Sequence, residues 1–293
     1  MTTPTHSLEH RNAAYSVAFS HDAQLLASGC LDKTITVWDL PSGKQRMQLR
    51  GHGEAICGLA FLPDGVTLLS ASLDKTLRLW DLESGKLKST LTGVHQVYLT
   101  CMDASSDCRL AASGSHDKSV VVWDIAGGQP LGELKGHTDL ITAIAMSPDG
   151  KVIASGGHDV LVRIWDAEKR EPLKELGPHT AAIQSLAFAP DGTTVAAGDD
   201  DGVIRIWNTK TGDFTKIRGG HQRTVKSLTF SPDGTQLASG GADTTVRIHD
   251  VATAREVRNL QGHRNSVYDV AFAPDGKQLA SAGFDRTVHV WSL

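Results

Sequence analysis

Histidine and aspartate are the residue types in this chain best able to do chemistry, and both recur at a fixed interval. His10, His52, His95, His137, His179, His221 and His263 follow one another at steps of 42 or 43 residues, and Asp32, Asp74, Asp117, Asp159, Asp201, Asp243 and Asp285 keep the same phase. An imidazole beside a carboxylate can hold a metal ion, act as a general base or activate a nucleophile. Seven copies of one pair, however, have the character of a building element. Ser28, Ser70, Ser113, Ser155, Ser239 and Ser281 lie ten residues before the positions of Trp38, Trp80, Trp123, Trp165, Trp207 and Trp291, and each aspartate lies six before them. The Trp207 to Trp291 interval is a double step with His249 at its midpoint, and Ala197 stands in the serine position of the fifth unit. Self-similarity at this period marks a repeat architecture.

The elements that must position these residues are strands. In the second unit, Ile56 to Phe61 runs into the turn Pro63-Asp64-Gly65, and Thr67 to Ala71 runs into the turn at Leu73-Asp74-Lys75. Leu77 to Asp81 follows, then Ser84-Gly85 and a looser fourth strand, Lys86 to Leu91. Four short strands between Gly, Pro, Asp and Ser turns describe one antiparallel sheet, and helical periodicity is absent. A sheet of this size cannot bury both faces alone, so it stacks on copies of itself, and the closed solution is a propeller. The expected fold is all-β: a seven-bladed β-propeller of four-stranded antiparallel sheets, one domain over residues 1–293. The last unit stops after its third strand at Trp291-Ser292-Leu293. The segment Thr2 to Leu8 holds the place ahead of His10 that Arg46 to Leu49 holds ahead of His52, so it is expected to complete that blade and leave no open edge.

The Gly-His doublets (Gly51-His52, Gly136-His137, Gly220-His221, Gly262-His263) and the Trp-Asp doublets (Trp38-Asp39, Trp80-Asp81, Trp123-Asp124, Trp165-Asp166) resemble the WD-repeat β-propeller family over the whole chain. The resemblance implies that the repeat aspartate accepts from the histidine, the histidine bonds the serine, and the serine hydroxyl bonds the indole N–H, because polar groups buried between blades need partners. It also implies a disc that binds proteins or peptides on its top face, the end carrying the His loops and the Asp turns. The units lacking a tetrad member, five (Ala197) and six (His249), are expected to be weakest. With them goes unit three, where Met102-Asp103-Ala104 replaces a Leu-Ala-Phe run and Ser106-Asp107-Cys108 replaces Pro-Asp-Gly.

Other functions are poorly provided for. The 29 basic and 33 acidic residues leave a formal charge of −4, without the basic excess that phosphate binding demands, so nucleic acid is not an expected partner. No apolar run is long enough to span a bilayer, and the N-terminus lacks the basic and apolar stretches of a secretion signal. Cys30, Cys57, Cys101 and Cys108 have no paired spacing and read as reduced thiols of a cytoplasmic, monomeric ring. His116 and His158, at matching positions of adjacent units, and the run Asp199-Asp200-Asp201 invite metal readings, but the repeat role expected of Asp117, Asp159 and Asp201 argues for turns instead. No nucleophile or phosphate-loop motif occurs, so the expectation is a non-catalytic protein without cofactor or metal.

What remains is the top entrance, reached from three and five residues after each histidine and from the residue before each aspartate. Those positions hold all three tyrosines and give an apolar arc of Phe284, Tyr268, Tyr15, Leu31, Cys57, Leu73 and Tyr98 over units seven, one, two and three. Units four to six present polar groups instead, including Thr142, His158, Gln184, Asp200 and Lys226. Clustered exposed aromatics are what interface hot spots look like. The arc is therefore expected to dock a peptide or a partner's loop, with a cation cage of Tyr15, Tyr268 and Phe284 as a sharper form. The expected function is an interaction scaffold. A sensor domain of a longer signalling protein and, less favoured, a propeller hydrolase are the alternatives.

Overall fold

The computed structural model describes residues 3–217 and 220–293, and among them there are strands and turns but no helix. The strands form seven four-stranded antiparallel sheets, each built from consecutive strands except the last. First strands pack against first strands all the way round, from Ala14–Phe19 of blade one through to Val267–Phe272 of blade seven and back to blade one. The seven-bladed ring is therefore closed.

Burial follows the distance of each strand from the axis. Second strands are sandwiched between neighbouring sheets, and Leu25–Cys30 and Thr67–Ser72 are buried at every residue. They read as small and apolar residues on both faces because both faces are covered. Outer strands such as Lys86–Leu91 are largely exposed until their last residue, where Leu91 returns to the core. Each apolar cluster spans two adjacent sheets. One of them joins Leu77, Leu79 and Leu91 of blade two to Val121 and Trp123 of blade three.

The ring is fastened by the two ends of the chain. His6–Glu9 pairs with Thr287–Ser292 in the register His6↔Val290, Leu8↔Val288, and Leu8 is buried beneath it. The closing strand begins later than the segment read from sequence. Thr2 lies outside the described residues, and Pro4 has no N–H to extend the ladder, so pairing starts with Thr5, whose N–H and hydroxyl both donate to the Val290 carbonyl at 2.7 and 2.9 Å.

One irregularity recurs in every blade and places side chains at the axis. The first hairpin of each sheet slips register by a residue, between Ala14 and Ser16 in blade one, Ile56 and Gly58 in blade two, and Val267 and Asp269 in blade seven. The extra residue of such a bulge is re-aimed out of the pleat. The bulged residues are Tyr15, Cys57, Thr100, Thr142, Gln184, Lys226 and Tyr268, and all seven line a central channel of about 730 Å³.

Candidate functional site

At the top of the ring, one backbone hydrogen bond recurs between the two families of loop in every blade. The N–H of the residue before the turn aspartate donates to the carbonyl three residues after the loop histidine: Leu31 to Ala13, Leu73 to Ala55, His116 to Tyr98, and so on to Phe284 and Ser266. This bond is why positions far apart in sequence share one rim.

Beneath the rim lie the tetrads. In blade two the Trp80 indole donates to Ser70 Oγ (2.8 Å), Ser70 Oγ lies 2.7 Å from His52 Nε2, and His52 Nδ1 lies 2.8 Å from Asp74 Oδ2. A carboxylate only accepts, so Nδ1 carries the ring proton and Nε2 accepts from the serine hydroxyl. The same chain joins Trp123, Ser113, His95 and Asp117; Trp165, Ser155, His137 and Asp159; and Trp291, Ser281, His263 and Asp285. The aspartates also clamp the loops: Asp74 takes the N–H of Gly53 with one oxygen and the N–H and hydroxyl of Thr76 with the other. Burial alone would raise the Asp74, Asp243 and Asp285 carboxyls, but the bonds from histidine, threonine and backbone outweigh it and hold all three well below the usual carboxylate range.

Three blades depart from this pattern. In blade five Asp201 is exposed and is not the partner of His179; Asp199, fully buried, accepts from His179 Nδ1 at 3.1 Å and also caps the turn through the N–H groups of Asp201 and Val203. The reason lies two residues after the serine position. Glycine occupies it in blades four, six and seven, and a Cβ at Gly241 or Gly283 would meet the histidine Nδ1 at 2.2 or 2.5 Å. In blade five the side chain at this position turns to the imidazole, so Asp199 takes the His179 Nδ1 site from the turn aspartate, whereas Ser72 of blade two turns to the Glu54 carbonyl. With Ala197 in place of serine, His179 Nε2 and Trp207 Nε1 have no partner among the described residues.

In blade one the same position holds Cys30, whose Sγ lies 3.0 Å from His10 Nδ1, and Asp32 bonds Thr34 without reaching the histidine. Burial, with a smaller contribution from Asp32, pushes the Cys30 thiol up to about 12, so it keeps its proton and donates to Nδ1. The His10 proton then sits on Nε2 and goes to Ser28 Oγ (3.0 Å), reversing the direction of the chain. In blade six His249 takes the tryptophan slot and bonds Ser239 Oγ at 3.1 Å, leaving only its Nδ1 without a partner among the described residues. Blade three, expected to be weak, has a complete tetrad. Its turn closes as the Pro-Asp-Gly turns do, with Ser105 Oγ donating to Asp107 and Cys108 taking the left-handed conformation at φ 49°. Among the tetrad positions, the shortage of partners falls in blades five and six.

Among the described residues, one group of three metal-ligating side chains converges, His263, Asp285 and His289, with ligand atoms within 4.8 Å. His263 and Asp285 are bonded to each other within the tetrad, and the His289 ring lies 4.4 Å from that of His263. His116 and His158 belong to no such group among the described residues; His116 instead meets the Tyr98 ring edge-on at 6.3 Å. The run Asp199-Asp200-Asp201 does not converge either: Asp199 turns to His179, and Asp200 accepts from Gln184 and Thr224.

The apolar arc divides into two groups. Tyr15 and Tyr268 stack at 4.3 Å and 25°, and Phe284 lies 5.9 Å from Tyr268, 41% exposed. Burial and a hydrogen bond with Tyr268 push the Tyr15 phenol up to about 12. The stacked rings cover each other's inner faces, so a cation cage between them has no opening. Leu31 is 38% and Tyr98 50% exposed, and Leu73 is partly buried. Cys57 lines the channel, but its thiol is engaged: it donates to the Leu99 carbonyl of blade three, and burial raises it well above its ordinary value. Thr100 and Thr142 make the same kind of bond, to the carbonyls of Ile141 and Ile183.

Two channel acids had no role in the sequence reading. Asp269 accepts from Val17 N–H of blade one, from Ser227 Oγ of blade six and from Val270 N–H, and Asp103 accepts from Met146 N–H of blade four and from Ala104 N–H. Burial pushes both up to about 6 against these hydrogen bonds.

Two outcomes follow. Asp199→Ala should lower the unfolding free energy by roughly 1–3 kcal/mol, since it strips a buried imidazole of its acceptor, whereas Asp201→Ala should change it by less than about 0.5 kcal/mol; urea unfolding of the two variants decides it, and equal losses would refute the assignment. Burial also lowers His249 to about 4, against an unfolded value near ~6.5. The folded state therefore prefers the neutral ring, and the stability tied to it is present above pH ~6.5 and lost as pH falls towards about 4. His249→Trp should flatten the loss of stability over that window; an unchanged slope would show that His249 does not contribute.

Comparison with known proteins agrees with this geometry. The family model "WD domain, G-beta repeat" matches seven times, at residues 2–39, 43–81, 85–124, 128–166, 170–208, 212–250 and 254–292. The chain is similar to Mitochondrial division protein 1 of Schizosaccharomyces pombe, 44% identical over 52 residues, which is 18% of this chain and 8% of that protein. It is similar to Nuclear distribution protein PAC1 of Arthroderma otae, 30% identical over 144 residues, 45% of this chain and 31% of that protein. It is also similar to Protein Notchless of Drosophila melanogaster, 40% identical over 140 residues, 46% of this chain and 29% of that protein. The matches span less than a third of each of these relatives. Propellers of this type are generally non-catalytic and bind other proteins. With seven four-stranded blades and seven matching repeats tiling residues 2–292, the chain belongs to the WD-repeat β-propeller family.

Proposed function

We propose that this ring is an interaction scaffold whose top face docks a peptide or a partner's loop on the aromatic cluster of Phe284, Tyr268 and Tyr15, with Leu31 beside it and Leu73 and Tyr98 extending the surface. The observation that carries the reading is the exposure of Phe284 and Leu31 on the rim next to a preformed ring stack. Rigid aromatic groups at the mouth of a concavity lose little conformational entropy on binding and supply most of an interface's energy. Cys57 contributes shape to this surface and not a free thiol, because its Sγ is engaged with blade three.

The channel chemistry favours binding over catalysis. Burial raises the thiols of Cys57 and Cys101, and the hydroxyls of Thr100, Thr142 and Ser185 donate to carbonyls of the next blade, so the nucleophile candidates act as brackets. On this reading the ring works without cofactor, as a monomer in the cytoplasm, with proteins and not nucleic acid or membrane as partners. The greater length of its relatives favours, as a second reading, a regulatory domain within a longer protein.

Affinity capture with the intact ring and with a Tyr15→Ala, Phe284→Ala double variant tests the proposal. Partners retained by the intact ring should be lost or weakened at least about tenfold, as removing two hot-spot aromatics implies, while the unfolding temperature stays high enough for a folded ring. Undiminished binding of every partner by a folded double variant would overturn it.

A further inference from the structure

Charge divides the top face into two halves, and the aromatic cluster lies in the cationic one. Around it, the rim of blades six, seven and one carries Arg223, Arg264, Arg286, Arg11 and Lys33, all exposed. Lys33 is paired with Glu54 at 3.3 Å, and Arg223 makes a long bond to the Ala242 carbonyl. The side chains of Arg11, Arg264 and Arg286 make no hydrogen bond or ion pair among the described residues, nor does that of Lys226, which lines the channel with Tyr268. The acids of this sector are Glu9 at the outer end of the closing strand, Asp32, which bonds Thr34, Asp243 and Asp285, which are bonded to their histidines, and in the channel Asp269, which accepts from Val17, Ser227 and Val270. Across the ring, blades four and five carry Asp139 and Asp201, both exposed, and Asp200. The cations nearest that side are engaged: Lys118 donates to the Thr138 carbonyl, Arg205 to Pro178, and Arg163 pairs with Glu175.

We infer that the occupant of the aromatic cluster is an acidic protein segment, in which an apolar side chain rests on Phe284 and Tyr268 while carboxylates on either side meet Arg11, Arg264 and Arg286. The inference rests on the top-face reading above and adds the chemical class of the partner. Unpaired cations around an apolar centre speed encounter with an anionic partner and reject a cationic one. The burial of Lys226 beside the stack has the same direction: it lowers the ammonium, an effect that Asp200 partly opposes and that a partner carboxylate would relieve. A nucleic acid is less suited, since a polyanion that crosses the ring meets Asp139, Asp200 and Asp201.

Three short fluorescent peptides, identical in a central Leu-x-x-Phe but flanked by Glu and Asp, by Gln and Asn, or by Lys, test the inference by anisotropy, with a short single-stranded oligothymidylate alongside. The acidic peptide should bind roughly tenfold tighter than the neutral one at low salt and lose that margin as salt rises, as screened rim charges do. Arg264→Gln with Arg286→Gln should bring it to the level of the neutral peptide, and Asp139→Asn should not. Equal binding of the acidic and neutral peptides, with both weakened by Phe284→Ala, would overturn the charge inference and leave the top-face reading intact. Tighter binding of the lysine peptide or of the oligothymidylate would overturn the assignment of an acidic protein segment. No measurable binding of any probe by the folded ring would overturn both.

Discussion

An imidazole buried between two sheets must pair both ring nitrogens, and the ring depends on how that requirement is met. Each histidine sits in an inter-blade loop, its partners on the second strand and in the turn, and the tryptophan at the end of the chain on the third strand. One line of hydrogen bonds thus fixes four segments of a blade relative to one another, and its clamp aspartate holds the two top loops in contact. Because the polar atoms are satisfied only in this arrangement, the loops are rigid and the rim side chains they carry are presented in fixed positions. The histidines and aspartates that resemble chemistry are what make a binding surface possible elsewhere.

The exceptions show which atom decides. Where the residue two after the serine position is glycine or serine, the turn aspartate reaches the loop histidine; where it is Cys30 or Asp199, that side chain takes the Nδ1 site. Asp199 replaces the turn aspartate in both of its duties, binding the imidazole and capping the turn, which explains why blade five keeps its loop geometry although Asp201 has turned away. Blade six tolerates His249 because a second imidazole still offers Ser239 a bond. Only Ala197 removes a partner without supplying another.

Much of this was legible in the amino-acid sequence. Periods of 42 and 43 residues, strand alternation and turn residues define the number of blades, their strands and the closing segment, because a repeat that buries its faces on its neighbours leaves few alternatives. Alignment failed at Asp199 for a physical reason: repeat phase assigns a role by position, while a hydrogen bond is assigned by reach, and the adjacent glycine-position side chain reaches further. The relevant sign was present in the sequence, an aspartate where glycine or serine is usual. The face-to-face stacking of Tyr15 on Tyr268 and the turning of Cys57 towards blade three were not legible, since both follow from the direction a bulge gives a side chain. The cross-blade bonds of Asp103 and Asp269 were not legible for the same reason, as spacing alone does not align the blades they join.

Blade five offers the most direct test of the claim that the recurring polar groups bind the blades together. Ala197 is fully buried, six other blades accommodate serine at its position, and Trp207 Nε1 and His179 Nε2 wait on either side of it without partners among the described residues. A serine there would accept from the indole and donate to the imidazole. Chemical denaturation of Ala197→Ser against the natural ring should show a gain of roughly 1–3 kcal/mol, the penalty of the two unpaired groups being relieved. An unchanged or lower stability in the folded variant would contradict the account.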